Sequence, residues 1–306
     1  MTERSKPTAQ APSEVRPSGN SLVFIGGCPR SGTTWLQKLL SCHPDIKTGP
    51  EAHIFEHYLA PLRSAWLRSA AGNPTGYAGG GLAGYLTDAE FKEILESFLA
   101  SLLRRLIERL EPGQLFLEKT PSNALFLRDI VELLPECRFI YVLRDPRDVV
   151  ASLLAASRSW GAHWAPKNAR EAARMWRHYA ARVREDRQQI PAWQFLEVRY
   201  EDLSANPERI LRDCATFLGL KWSGEELAAA ISANVSTNRE GPHRGTAIAV
   251  DGEQRRRFGA IMKEPHGFVR KAKVGSWKTD LSIMGKLWTR LVLRHEMPAN
   301  GYRWRS

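Results

Sequence analysis

Residues 26–35, GGCPRSGTTW, have the composition and spacing of a loop that binds an anion. Gly27 and Gly32 stand five positions apart, like the two glycines of the phosphate-binding motif G-x-x-x-x-G-K-[ST], and the apolar run SLVFI (21–25) leads into them. Thr33 occupies the position at which a nucleotide hydrolase carries its lysine. The sequence therefore predicts a phosphate-type cradle without the residue that handles a γ-phosphate.

The donors for such an anion come from the backbone and from side chains. The first turn of a helix has N–H groups without intrahelical partners and carries the positive end of the helix dipole. Arg30, Thr33 and Thr34 add side-chain donors, and the glycines let the backbone approach the ligand. A structural strand-to-helix turn would also explain two glycines at this spacing, but the segment RSGTT between and after them favours an anion.

Two further cations follow predicted strands. Arg144 comes directly after RFIYVL (138–143), at the end of a strand where open α/β sheets place their ligands. Ser152 follows eight residues later, about two helical turns, so it can lie on the same side as Arg144. Lys119 follows QLFLE (114–118) at the same predicted sheet edge, where it is a candidate for neutralising negative charge that develops in a reaction.

A third basic group lies near the end of the chain. Arg270, Lys271 and Lys273 cluster ahead of Gly275. A charge run of this kind is usually a solvated surface, and it becomes a binding element only if it closes over a second phosphate.

The elements that must position these side chains alternate between strands and helices. Four apolar runs rich in β-forming residues are each followed by a helix-like stretch: 21–25, 114–118, 138–143 and 193–198. This alternation is typical of a buried parallel sheet. We expect an α/β fold made of a single P-loop-like domain, with a central, mostly parallel sheet flanked by helices and with helical or loop insertions.

The expected domain spans residues 20–306, and the polar, proline-containing residues 1–19 are expected to form a disordered tail. About ninety residues separate the first two strands, which is long for a simple crossover. Part of that segment, 72–85, is glycine-rich and is either a mobile lid or a tolerated flexible insertion.

Composition narrows the class of protein. The 306 residues carry a net charge of +11, which suits a nucleic acid, an anionic membrane surface or a small anionic substrate. The basic residues are spread along the chain without a basic block, so no nucleic-acid partner is expected. The four cysteines form no C-x-x-C pair, and no apolar stretch reaches ~18 residues, so neither a zinc site nor a transmembrane segment is predicted. With no apolar leader, a cytoplasmic location is expected.

These motifs resemble those of the sulfotransferases that use 3′-phosphoadenosine-5′-phosphosulfate (PAPS). In that family a loop of the type P-[KR]-S-G-T-T-W binds the 5′-phosphosulfate. The corresponding residues here are Pro29, Arg30, Ser31, Gly32, Thr33, Thr34 and Trp35. The family binds the 3′-phosphate with an arginine after a strand and a serine eight residues later, which Arg144 and Ser152 match.

Two later segments extend the resemblance. The family segment R-K-G-x-x-G-x-W-K is similar to Arg270-Lys271 through Lys278, although Ala272 replaces the first glycine. The segment VRYEDLSANPERIL (198–211) is similar to one whose tyrosine, here Tyr200, can lie near the adenosine.

The resemblance implies a reaction that needs no Walker lysine. An acceptor attacks sulfur in line, and adenosine 3′,5′-bisphosphate (PAP) leaves with negative charge on its 5′-phosphate. Arg30 and Lys119 are then placed to stabilise that charge electrostatically. No metal is required in this scheme, and no metal-ligand cluster is recognised in the sequence.

Two residues are candidates for the base that deprotonates the acceptor. Small-molecule sulfotransferases have K-T-H after the second strand, but here the residues are Lys119-Thr120-Pro121. The segment HPDIKTGPEAHIF (43–55) instead resembles the tyrosylprotein and several bacterial sulfotransferases, whose base is a glutamate, here Glu51. His53 competes with it, because a neutral imidazole also suits pH 7.

Two other functions fit part of this pattern. A P-loop kinase or nucleotide hydrolase is opposed by the missing lysine, and a non-catalytic protein that binds nucleotides or polyanions would need neither Glu51 nor Lys119. The acceptor is a hydroxyl or amine on a small molecule, glycan, lipid or peptide. A homodimer is common in the family, but no dimer motif is recognised.

Overall fold

The computed structural model describes residues 19–71, 81–234, 268 and 273–304. Its centre is a sheet of five strands: β1 (Leu22–Gly26), β2 (Ile46–Thr48), β3 (Leu115–Lys119), β4 (Arg138–Leu143) and β5 (Phe195–Arg199). The spatial order is β2-β3-β1-β4-β5, and every neighbouring pair is parallel. All five carboxyl ends therefore meet at one edge, with β1 in the middle.

Helices account for most of the remaining described chain. They are α1 (Thr33–Leu40), a π-helical segment (Ile54–Leu59), α2 (Ala60–Ala70), α3 (Asp88–Ile107), α4 (Leu127–Leu133), α5 (Pro146–Ser157), α6 (Ala169–Arg187), α7 (Tyr200–Ala205), α8 (Pro207–Leu218), α9 (Gly224–Ala233), α10 (Trp277–Asp280), α11 (Ile283–Leu293) and α12 (Glu296–Ala299). Several begin at side chains that cap them. Asn168 accepts from the N–H of Glu171 at α6, and Thr87 and Glu90 form a capping box at α3.

Successive side chains of a strand point to opposite faces of the sheet, and helices cover both faces. Leu22 and Phe24 of β1 pack with α3, α4, α5 and α6, whereas Val23 and Ile25 pack with α1, α8 and α9. All five residues of β1 are buried. This is why the central strands read as continuous apolar runs and not as alternating patterns.

The predicted α/β fold with a central parallel sheet is confirmed, and the four predicted strands correspond to β1, β3, β4 and β5. The helix-like stretch expected after each of these runs is also present, since α1, α4, α5 and α7 follow β1, β3, β4 and β5. Strand β2 was missed, because three residues are too few to give a pattern. The long segment before β3 contains α2 and α3, so it is a helical insertion.

Several sequence predictions fall outside the described residues. They include the tail except for Gly19, most of the glycine-rich segment 72–85, and Arg270 and Lys271. Among the helices that are described, none is long and apolar enough to span a membrane.

Candidate active site

The anion loop connects β1 to α1 at the central position of the sheet edge. Gly32 caps α1 with φ 100°, and Arg30 also has a positive φ of 75°. A Cβ on Gly32 would lie 2.5 Å from Cδ2 of Tyr200, and one on Gly27 would lie 2.6 Å from the carbonyl oxygen of Val142. Both positions therefore require glycine, Gly32 for its backbone conformation as well as for space.

Arg30 lies between a serine and an aromatic wall. Its Nε donates to Oγ of Ser152 at 3.1 Å, and a terminal nitrogen donates to the carbonyl oxygen of Phe268. The guanidinium lies 4.6 Å from the ring centre of Phe268 and 5.2 Å from that of Trp160. The loop arginine and the serine of α5 are thus neighbours, although 122 positions separate them.

Arg144 contacts the backbone of the loop and is only 8% exposed. One terminal nitrogen donates to the carbonyl oxygen of Arg30 at 3.2 Å, and the other donates to that of Lys273 at 3.4 Å. Its guanidinium stacks 3.9 Å from the ring centre of Tyr200. Among the described residues, the buried Nε of Arg144 and the buried Oγ of Ser31 have no hydrogen-bond partner. Arg144 lines the cavity, so its Nε is a donor of the kind that a bound anion satisfies.

Trp35 and Tyr200 form an aromatic corner beside the loop. Their ring centres are 5.6 Å apart with the planes inclined at 60°. Nε1 of Trp35 donates to the carbonyl oxygen of Asn234 at 3.3 Å. Both rings line the same cavity as Arg30 and Arg144.

Lys119 is 4% exposed and joins the anion loop to Glu51. Its Nζ donates to Oγ1 of Thr34 at 3.1 Å and forms a short ion pair with Oε1 of Glu51. Lys119 and Ser31 are not on the cavity wall, whereas Thr34 and Glu51 are. The lysine therefore supports the site from behind.

The Glu51 side chain is 36% exposed. Burial of the carboxylate opposes ionisation, but Lys119 and His53 outweigh it and lower the pKa of Glu51 to about 2. Glu51 is therefore an anion throughout the physiological pH range.

His53 connects Glu51 to a second carboxylate. Its Nε2 lies 3.4 Å from Oε2 of Glu51, and its Nδ1 lies 3.0 Å from Oε2 of Glu56. The hydrogen bond to Glu51, opposed by burial and supported by Glu56, raises the pKa of His53 to about 9. The backbone of His53 is left-handed, with φ 49°, and its N–H donates to Oγ1 of Thr120 at 3.3 Å.

Two groups in this region were not predicted from the sequence: Glu118, and Glu56 with His57 beside the predicted His53. Glu118 is buried within β3 and accepts from Oγ1 of Thr120, Nδ2 of Asn123 and the N–H of Ala52 at 2.5–3.0 Å. Burial raises its pKa, and its bonds fix the segment that carries Glu51. The second group is Glu56 with His53 and His57. Alternation within β3 is the sequence pattern that marks Glu118, and spacing within one helical turn is the pattern that marks Glu56 and the two histidines.

Asp148 of α5 holds the chain that follows the predicted basic cluster. Its carboxylate is fully buried and accepts from the N–H of Gly275 at 2.7 Å, the N–H of Trp277 at 2.9 Å and Oγ of Ser276 at 3.3 Å. This anchor brings Lys273 to Arg144. Arg270 and Lys271 lie outside the described residues, so their predicted role stays a prediction.

A cavity of about 730 Å³ unites these groups. One part of its wall is the anion loop with Arg144, Ser152 and Tyr200, and another carries Glu51 and His53. The remaining wall includes the aromatic and apolar side chains of Trp160, Trp164, Met175, Tyr179 and Phe268. The site can therefore hold an extended anion beside a group with a flat apolar surface.

The fold is that of solved sulfotransferases. A mouse sulfotransferase, SULT7A1, complexed with PAP superimposes with a TM-score of 0.58 at 16% identity, covering 91% of this chain and 85% of that one. The sulfotransferase domain of the Synechococcus PCC 7002 olefin synthase gives 0.53 at 18% identity, covering 92% and 94%.

Sequence comparison gives the family. The model of the Sulfotransferase family matches residues 22–224, and the chain belongs to this family. A protein-tyrosine sulfotransferase of Drosophila melanogaster is 29% identical over 204 residues, which are 66% of this chain and 38% of the relative. Protein-tyrosine sulfotransferase 1 of Danio rerio is 30% identical over 202 residues, 66% of this chain and 54% of the relative. The chain thus matches only about half or less of the length of these two relatives.

Proposed function

We propose that this protein transfers a sulfuryl group from PAPS to a hydroxyl acceptor, releasing PAP, and that the acceptor is a tyrosyl side chain of a peptide or protein. The observation that carries the proposal is the meeting of Arg30, Arg144 and the first turn of α1 on one cavity that also contains Glu51. Membership of the Sulfotransferase family supports the reaction. The names of the protein-tyrosine sulfotransferase relatives support the acceptor class.

Arg30 and Arg144 on the cavity wall fit a ligand with two separated phosphates. The loop and Arg30 suit the 5′-phosphosulfate, because they combine helix N–H groups with a guanidinium. Arg144 meets two carbonyl oxygens and the ring of Tyr200 but no carboxylate in the described part of the chain, and its Nε lacks a partner there. It is the candidate for the 3′-phosphate together with Ser152.

PAPS supplies the sulfuryl group and a phosphate leaving group, and the protein supplies position and charge. Thr33 and Thr34 are the first two residues of α1, so their N–H groups face the bound anion. Arg30 and Lys119 stabilise the negative charge that develops on the leaving oxygen. Both cations are held by neighbours before the reaction begins, so little reorganisation is needed.

Glu51 is the better candidate for the base. With a pKa of about 9, His53 is protonated at neutral pH and has no lone pair to accept a proton. Glu51 is ionised, but its ion pair with Lys119 makes it a weak base. Because Lys119 also contacts Thr34, an anion in the loop competes for the ammonium group, and Glu51 becomes more basic when PAPS binds.

A tyrosyl acceptor fits the remaining wall. Trp160 and Trp164 lie 5.6 Å apart between ring centres, and Trp160 lies 5.0 Å from Phe268. Aromatic walls of this kind favour a planar acceptor by stacked and edge-on contacts.

The test is transfer of [³⁵S]sulfate from PAPS to a tyrosyl peptide, compared with phenol, sugar and lipid acceptors. Glu51→Gln should lower kcat about 10²–10⁴-fold while changing the KM for PAPS little, because it removes a general base. Arg144→Ala should mainly raise the KM for PAPS. Glu93→Gln, an exposed carboxylate of α3, is the matched control and should behave as wild type.

Two results would contradict the proposal. One is a wild-type rate in Glu51→Gln, which removes the base, and the other is failure of PAP to bind the wild-type protein. Transfer of ³²P from [γ-³²P]ATP in place of ³⁵S would favour a kinase, the alternative that the missing lysine opposes.

A further inference from the structure

Three side chains of types that ligate metals lie on one helical turn beside the cavity. His53, Glu56 and His57 are spaced i, i+3 and i+4 around the start of the π-helical segment, so they share a face. One ligand atom from each lies within 4.8 Å of the other two. Two histidines and a glutamate are a set that zinc takes in proteins.

The distances suit a small divalent ion. Nδ1 of His53 lies 3.0 Å, and Nε2 of His57 lies 4.0 Å, from Oε2 of Glu56. Tetrahedral ligands at about 2.0–2.1 Å from zinc are separated by about 3.3 Å. The ring of His57 is stacked on that of His53, with the ring centres 4.5 Å apart and the planes 9° apart, so it has to turn about its side-chain bonds to direct Nε2 at the ion. The side chain of His57 is 60% exposed and is therefore able to turn.

The ligands also have the supporting hydrogen bonds that metal sites use. The second nitrogen of His53, Nε2, faces the carboxylate of Glu51 at 3.4 Å. Oγ of Ser122 donates to Oε2 of Glu56 at 2.7 Å. A carboxylate behind a ligating histidine fixes the ring and its tautomer, and such partners typically change metal affinity 10–100-fold.

We propose that His53, Glu56 and His57 bind a divalent transition-metal ion of the zinc type, with a fourth position open to water, and that the bound ion inhibits the transfer reaction. The site goes beyond the proposed function, since the reaction scheme contains no metal. On binding, the hydrated ion loses water, Nδ1 of His53 loses a proton to solvent, and Nε2–H remains directed at Glu51.

Inhibition follows from the position of Glu51. Its carboxylate is hydrogen-bonded to the same imidazole that would ligate the ion. An ion ligated by His53 therefore lies beside Glu51 at the wall of the same cavity, where the ion and its water keep an acceptor from reaching the carboxylate.

Binding is tested first and without substrates. The full chain, free of any histidine tag, is titrated with CoCl₂ while the visible absorption is followed, and with ZnCl₂ by calorimetry. We expect one ion per chain and an intense Co²⁺ spectrum of low coordination number. His57→Ala and Glu56→Gln should each weaken binding more than about tenfold, as loss of a ligand requires. His178→Ala removes an exposed histidine of α6 outside the cluster and should bind as wild type.

Inhibition is tested second. ZnCl₂ at the concentration that fills the site should reduce transfer by wild type and His178→Ala but not by His57→Ala, whose metal-free activity should equal that of wild type. The metal site is refuted if neither ion binds below millimolar concentration, or if His57→Ala and Glu56→Gln both bind as wild type; inhibition that persists in His57→Ala refutes the regulatory role. The binding titrations contain neither PAPS nor acceptor, so their outcome does not depend on whether the proposed function is correct.

Discussion

At the scale of single residues, the site is a chain of alternating charges from Lys119 through Glu51 and His53 to Glu56. The pKa of His53 is raised, so its charged form stabilises the fold fully below about pH 6.5, and this contribution is lost as pH rises through about 9. The pKa of Glu51 is lowered, so its contribution is present above about pH 4.5 and is lost as pH falls through about 2. Both contributions are full between about pH 4.5 and 6.5.

The prediction at the scale of single residues concerns the titration of His53. In wild type its ring should titrate near pH 9, and in Glu51→Gln the midpoint should fall toward the ordinary value of about 6.5, because the first cause of the shift is removed. NMR of ¹³C-labelled histidine measures both midpoints, with Glu93→Gln as the unaffected control. A wild-type midpoint near 6.5 would show that the two carboxylates do not hold the ring as described.

At the scale of elements, the site depends on contacts between segments that are far apart in the chain. The loop before α1 packs against Tyr200 at the start of α7, and α5 supplies both Ser152 and Asp148. Asp148 fixes the chain at 275–277, and that in turn places the carbonyl group of Lys273 on Arg144.

The corresponding prediction is that Asp148→Asn weakens PAP binding about tenfold, with a higher KM for PAPS and little change in kcat. Asparagine keeps the shape of the side chain, but its NH₂ group replaces one accepting oxygen. This NH₂ group then faces a backbone N–H without a hydrogen bond, which costs about 1–3 kcal/mol of the free energy that holds the anchor. Calorimetry with PAP measures the effect. Asp213→Asn, an exposed α8 carboxylate paired with Arg209, is the control and should bind normally. Unchanged PAP affinity in Asp148→Asn would show that the anchor does not position the site.

At the scale of the whole molecule, the parallel order β2-β3-β1-β4-β5 brings the ends of β1, β3, β4 and β5 to one edge. The loop, Arg144 and Tyr200 follow β1, β4 and β5, and Lys119 is the last residue of β3. Because the sheet is packed on both faces, this edge is the place where side chains from distant segments meet in a cavity.

A ligand bound at that edge should stabilise the whole folded chain. PAP at one hundred times its Kd should add about 2.7 kcal/mol and raise Tm by about 4 °C in a chain of this size. Differential scanning calorimetry measures the shift, which Arg144→Ala should reduce at the same PAP concentration and Glu93→Gln should not. Equal shifts in wild type and Arg144→Ala would mean that PAP binds elsewhere.

The sequence by itself determined the order of the elements and the local chemistry of the loop. Strand, glycine turn and helix around Gly32 are neighbours in the chain, and the apolar runs of β1 and β4 are long enough to show a buried sheet. From the parallel sheet it followed that Arg144 and the loop share an edge.

Only the tertiary structure decided the electrostatics. Lys119 meets Glu51 across 68 positions, and Asp148 meets Gly275 across 127, so no local pattern predicts either pair. The pKa values of Glu51 and His53 depend on these neighbours and on burial, which is why the sequence left both residues as candidates for the base. The face shared by His53, Glu56 and His57 likewise depends on the π-helical segment that the fold imposes there.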